Sequence, residues 1–270
     1  AFNQSLNLWN VSSVTNMSSM FYNASAFNGD VSSWNTSSVT NMNRLFYGTT
    51  VFDQNISSWT TTSVTDMAFM FFSSSAFNQN ISTWNVANVT DMTAMFAGAI
   101  LFNQPIGTWT TSSVAAMTSM FSSASAFNQS LNLWNVSNVT LMNTMFAGAL
   151  VFNGDISLWN VGSVTNMQSM FANASSFNRQ LLWNVSNVTS MQSMFSNADA
   201  FNQSLNSWVT TSVTDMSYMF SNNNVFNGSI SSWNVSSVLN MSRMFENADS
   251  FNQSLNLWVT SSVTTMQSMF

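Results

Sequence analysis

The stretch FNQSLNLWNVSSVTNMSSMFYNASA, Phe2 to Ala26, holds the pattern on which the whole chain is built. Its opening Phe returns at positions 27, 52, 77, 102, 127, 152, 177, 201, 226 and 251, a 25-residue period broken once by a one-residue deletion between Phe177 and Trp183. With Phe2 as repeat position 1, the eleven units read F-N-Q-x-L-x-x-W-N-V-S-x-V-T-N-M-x-x-M-F-x-N-A-x-A. Self-similarity at such a period marks an array in which each unit stacks on its neighbours, because one unit alone cannot bury its apolar face. All 11 Trp occupy position 8, the 21 Met fill positions 16 and 19 except for the slot taken by Leu45, and every Phe but Phe69 and Phe72 sits at position 1 or 20. Slots filled so uniformly are read as core rather than as a cofactor box.

Within a unit, V-T-N-M-x-x-M-F-x-x-A spaces its apolar residues at 3, 3, 1 and 3, one face of a helix, with Ser or Asn available to cap its start. A helix of about ten residues per coil is the expectation. The segment around L-x-x-W-N-V, with Thr-rich variants at Thr60 to Thr62 and Thr110 to Thr111, has the composition of a strand of three to five residues. The fold class expected is therefore α/β: a leucine-rich-repeat-like solenoid of eleven coils, each a short strand plus a short helix, with one stacked parallel sheet. At about 4.8 Å per coil the array is on the order of 50 Å long. The Asn at position 2, replaced once by Asp53, is expected to stack as a ladder that satisfies backbone groups in a turn.

Composition narrows function by exclusion. Charged residues make up 4% of the chain, with 3 Arg, no Lys, 9 acids and a net charge of −6, too little positive charge to neutralise nucleic-acid phosphates or hold an anionic membrane. His and Cys are absent, so zinc ligation, haem ligation, Ser/His or Cys/His nucleophile pairs and disulfides lose their usual parts. Asn, Ser and Thr number 115 and leave a neutral, hydrogen-bonding surface. No apolar run of about 20 residues offers a membrane span. With no signal peptide or initiating Met, and no linker or composition shift, residues 1–270 read as one continuous array, a mature or excised section of a longer chain or filament.

The segments W-N-V-S-N-V-T at Trp134 to Thr140 and M-x-x-M-F-x-x-A-x-x-F-N-Q at Met117 to Gln129 resemble the BspA-like leucine-rich-repeat surface proteins, and the resemblance extends over all eleven units. It implies a leucine-rich-repeat-like solenoid on an extracellular or cell-surface protein used for adhesion, matrix contact or surface architecture. It supplies no catalytic residue. Two departures bear on partner binding: where the family commonly has Asp after the Trp this chain has Asn, Thr or Val, and the surface Lys is missing.

No catalytic, cofactor-binding or metal-ligating residue is expected, and no cofactor. The chemistry left to the side chains is modification of Asn. N-x-S/T sequons occur at Asn3, Asn10, Asn16, Asn23, Asn35, Asn55, Asn80, Asn88, Asn128, Asn135, Asn138, Asn173, Asn184, Asn187, Asn202, Asn227, Asn234, Asn240 and Asn252, recurring at repeat positions 2, 9, 12, 15 and 22. Composition alone produces roughly 11, so placement on turns is the informative part. Among the acids, Asp66, Asp91 and Asp215 share position 15; a glycosidase-like pair there is weighed against helix-start chemistry, and the latter is preferred because the slot is usually Asn. The other acids, Asp30, Asp53, Asp155, Asp199, Glu246 and Asp249, are scattered, and Arg44, Arg179 and Arg243 lie in separate coils.

The leading functional expectation is a non-enzymatic extracellular structural protein, a glycosylated surface or filament component that self-associates end to end because neither terminal unit departs from consensus. The alternative is an adhesin-type module reading a protein or carbohydrate partner through the sheet face, although positions 4, 6 and 7 supply no aromatic or charged anchor. A lattice-binding Thr array ranks third, since its rows break, and an enzyme ranks fourth.

Overall fold

The computed structural model describes residues 2–270. Its coils are built from tight turns, and among the described residues there is neither a helix nor an extended strand. The expected α/β coil, with its short helix, its strand at L-x-x-W-N-V and its stacked sheet, is therefore corrected. Pairing of strand type is confined to isolated parallel bridges at position 15, running from Asn16↔Asn41 to Asn240↔Thr265.

One coil shows why no helix forms. The amides of Met142, Thr144, Phe146 and Gly148 donate to the carbonyls of Asn166, Gln168, Met170 and Ala172 in the next coil at 2.8–3.1 Å. The intervening amides of Met145, Ala147 and Ala149 close turns onto the carbonyls of Met142, Thr144 and Phe146, three residues back in the same coil. A helix would spend every N–H within itself and leave none for the neighbour. Here alternate amides are shared between the coil and its neighbour.

This arrangement requires left-handed residues at positions 18 and 22. Thr144 has φ 56° and Gly148 φ 71°, placing the third residue of the Met142–Met145 and Phe146–Ala149 turns at positive φ as a type II turn demands. Position 22 carries residues that tolerate this: Gly48, Gly98 and Gly148, with Asn or Ser elsewhere. Position 18 does not, since Arg44, Phe69, Thr144 and Tyr218 are all left-handed there. Each non-Gly case costs about 1–2 kcal/mol, so stacking overrides local preference.

The strand expectation fails for a related reason. Trp134 N–H returns to Leu131 O at 3.0 Å and Val139 N–H to Val136 O at 3.0 Å, so the chain turns at both ends of the W-N-V segment. The Thr variants there replace core residues: Thr61 and Thr111 are buried at position 10, and their hydroxyls donate to Asn85 O and Asn135 O of the following coils. A buried hydroxyl so paired carries no desolvation penalty left unmet.

The apolar columns close into one cluster reaching from Leu6 to Met269. Position-20 rings stack along the array, Phe121 on Phe146 and Phe146 on Phe171 at 5.6 Å, and each packs against the position-1 ring that follows, as Phe146 does on Phe152 at 4.0 Å. The indole column runs alongside: Trp134 stacks on Trp109 at 6.2 Å and donates Nε1–H to Ile106 O of the preceding coil at 3.0 Å. No buried side-chain polar atom among the described residues lacks a partner.

Trp134 is 3% exposed, so Trp134→Ala opens a cavity and removes one of the two donors on the Ile106 carbonyl, the other being the Trp109 N–H. The expected loss is about 3–5 kcal/mol by denaturant unfolding. A loss below 1 kcal/mol contradicts the inside/outside assignment.

Candidate functional site

Most polar columns serve the backbone. At position 2 the side-chain oxygen of one coil accepts the amide N–H of the same position in the next: Asn3 Oδ1 from Asn28, Asn78 Oδ1 from Asn103 and Asn227 Oδ1 from Asn252, with Asp53 in the same role toward Asn78. The ladder runs from side chain to main chain, so Asn and Asp are interchangeable in it. At positions 4, 9 and 15 the same oxygen instead folds back to the N–H two residues on, as in Asn55 to Ser57, Asn135 to Ser137 and Asn240 to Ser242. These Asx turns set the corners of the coil.

The acids fit those columns. Asp66, Asp91 and Asp215 accept from Ala68, Thr93 and Ser217, the work Asn does in the same slot elsewhere. Their shared position thus reflects turn closure rather than the helix start expected, there being no helix. Asp30 and Asp155 occupy position 4. The N–H and hydroxyl of Ser32 hold the Asp30 carboxyl below its ordinary value; the N–H and hydroxyl of Ser157 do so for Asp155 against the opposing effect of burial, with a smaller pull from Arg179. No group of three or more acids among the described residues is placed to hold a metal.

The sequons divide by what their Nδ2 does. Asn88, Asn138 and Asn187, at position 12, commit it to Thr62 O, Ser112 O and Gly162 O of the preceding coil at 2.7–2.8 Å. Asn10, Asn35, Asn135, Asn184 and Asn234, at position 9, are exposed and use only Oδ1, in their Asx turns. Asn3, Asn128, Asn202, Asn227 and Asn252 belong to the position-2 ladder, whose bonds also use Oδ1. Asn55 and Asn80 close turns at position 4 and Asn16 and Asn240 at position 15, while Asn23 and Asn173 are left-handed and exposed at position 22.

Two irregular features interrupt this uniformity. The deletion leaves coil 8 without a position-6 residue, and a cavity of about 350 Å³ lies there between Asp155, Ser157, Arg179, Gln180 and Leu182. The second feature is a ridge in coils 1 to 3. Tyr22, Tyr47 and Phe72, all at position 21, stack at 4.6 and 4.5 Å, and Arg44 lies over the ring of Phe69 at 4.7 Å. Sequence reading noted Phe69 and Phe72 as extra but gave them no place. Their signal was column membership: Phe72 shares a column with Tyr22 and Tyr47, and Phe69 sits one coil from Arg44 at position 18.

Fold and columns together define a repeat protein whose coils share backbone hydrogen bonds. The family described as "Mycoplasma protein of unknown function, DUF285" matches residues 1–109, 72–182, 102–205 and 181–270. Those stretches span the chain, and the chain belongs to that family. The match supports the repeat nature read from the motifs and does not carry the BspA-like name. None of the curated proteins matches the sequence. Among solved structures, the chain is similar to the leucine-rich repeat domain of APL1B (11% identity, 79% of this chain and 58% of that one, TM-score 0.32). It is also similar to a chain of the TLR13–ssRNA13 complex (10%, 89% and 48%, TM-score 0.28) and to the internalin inlF of Listeria monocytogenes (7%, 82% and 80%, TM-score 0.22). The chain spans about half the length of the first two, and scores this low carry no argument about fold or function.

Proposed function

We propose that the protein is a non-enzymatic structural repeat protein of the cell exterior that stacks head to tail. The observation that carries this reading is that every junction repeats one register, each coil offering amides to one side and carbonyls to the other, which a further coil of any copy can continue. In coils 2 to 11 the carbonyls at positions 17 and 19 accept amides from the coil before, as do those at position 15 other than that of Leu141. The carbonyls of Asn16, Ser18 and Met20 in coil 1 and the amides of Met266, Ser268 and Phe270 in coil 11 are the groups that a further coil would engage. These groups lie in the same register as every internal junction. Apolar rows run through every junction in the same way: Phe121 stacks on Phe146 and Phe146 on Phe171 at 5.6 Å. Covering about 500 Å² of such surface stabilises by about 12 kcal/mol before association costs.

Glycosylation belongs to the same proposal. The support is the exposed position-9 column, Asn10, Asn35, Asn135, Asn184 and Asn234, whose Nδ2 atoms are uncommitted. Position 12 is the poorer substrate because each Nδ2 there is bonded between coils. A second reading, a binding module, is favoured by the aromatic ridge rather than by a sheet face, since the chain has no such sheet.

Sedimentation at low and high salt tests the stacking. Self-association almost independent of salt is expected because there are so few charges to screen, and a monomer under both conditions contradicts it. Glycosylation is checked by intact mass and site mapping of native material. A mass above 29.8 kDa with glycans at position 9 and none at Asn88, Asn138 or Asn187 is expected, and a bare-chain mass removes the claim.

A further inference from the structure

We infer that the ridge formed by Tyr22, Tyr47, Phe72, Phe69 and Arg44 is a binding site for a glycan that bears carboxylates. The inference rests on the binding-module reading and is independent of end-to-end stacking. These side chains are the ones the core does not use: all eleven coils fill both position 1 and position 20 with Phe, and position 21 is Ala or Ser in coils such as those of Ala97, Ser122, Ala147 and Ala172. Nothing in the coil geometry therefore requires aromatic residues at that position. Stacked on one face, Tyr and Phe beside an Arg make the combination that dominates recognition surfaces.

The backbone beneath the ridge narrows the ligand class. From Arg44 to Gly48 every amide is bonded, to Ala68 O, Met42 O, Met70 O, Arg44 O and Phe72 O in turn, and from Phe69 to Ser73 the amides go to Thr93 O, Met67 O, Met95 O, Phe69 O and Ala97 O. A peptide strand finds no N–H to pair with, so recognition falls to side chains. Those present are the Tyr22 and Tyr47 phenols, which bond no other described residue, and one guanidinium; the Asn43 amide is spent, its Nδ2 donating to the Asp66 carboxylate and its Oδ1 accepting from Arg44. With the ring faces stacked on one another, the phenol hydroxyls are the groups that suit the hydroxyls of a sugar chain running along the stack.

Arg44 supplies the charge preference. Arg243–Glu246 is the only ion pair among the described residues, so Arg44 has no carboxylate partner; its NH1 donates to Asn43 Oδ1 at 2.9 Å. A guanidinium held flat over Phe69 keeps its remaining donors for a carboxylate arriving from outside. Nucleic acid, the other common partner of stacked aromatics and Arg, is disfavoured because the ring faces are turned to one another at 4.6 and 4.5 Å and are not open to bases.

The test titrates the 270-residue chain with an oligogalacturonate and, separately, with a neutral dextran oligomer of equal length, by calorimetry. Arg44→Ser and Tyr47→Ala are the variants, each installing a residue the array already carries at that position, as Ser119 and Ala97 show, so folding is kept. Expected are binding of the oligogalacturonate, binding about tenfold weaker in each variant, and little binding of dextran. Equal affinity for the two oligomers overturns the carboxylate assignment. Unchanged binding in both variants puts recognition elsewhere on the array and overturns this site alone, whereas a wild-type chain that binds neither oligomer overturns the site and the binding-module reading together.

Discussion

Each coil divides its backbone amides between itself and its neighbour, and the rest of the architecture depends on that division. From position 16 to position 22, alternate N–H groups cross to the next coil while those at positions 19 and 21 close turns three residues back. A backbone amide left unpaired in the interior costs about 1–3 kcal/mol, so neither set can be dropped without the other having to replace it. The consequence is that a coil is incomplete by itself. Its turns are shaped correctly only where a second coil receives the crossing bonds, which makes stacking a condition of local structure as well as of core burial.

Uniform side-chain columns follow from the same constraint. Because every junction repeats one geometry, a residue that satisfies it in one coil satisfies it in all, which is why the indole of each Trp from Trp34 to Trp258 reaches a carbonyl one coil back. The Asn columns work likewise, holding main-chain N–H groups either across coils, as Asn78 does, or two residues ahead, as Asn135 does. Where the columns are uniform the molecule is being held together. Where they vary without structural need, at Tyr22, Tyr47, Phe69, Phe72 and Arg44, the variation has to be explained by something the coil meets.

The period, the buried columns and the position-2 ladder were legible in the sequence, since each is a statement about which residue recurs. The path of the chain between them was misread. Apolar spacings of 3, 3, 1 and 3 suit a helix, and they suit equally a chain of turns that points Met142, Met145 and Phe146 inward. Two signals favoured the turns: the Gly and Asn residues gathered at position 22, which ask for positive φ, and the weak helix propensity of Val-Thr-Asn runs. At position 18 no local signal existed, because Thr144 and Phe69 are left-handed only under the demands of their neighbours. The ridge was hidden for a different reason, as its residues are spread over three units and become adjacent only when the coils stack.

The most direct test of the shared-amide account is a through-hydrogen-bond scalar coupling measured by NMR at the amide nitrogen of Thr144. The account predicts coupling to the carbonyl carbon of Gln168, which accepts that N–H at 2.8 Å from the next coil. Coupling instead to the carbonyl of Thr140, four residues back in the same coil, is the signature of a helix and would contradict it.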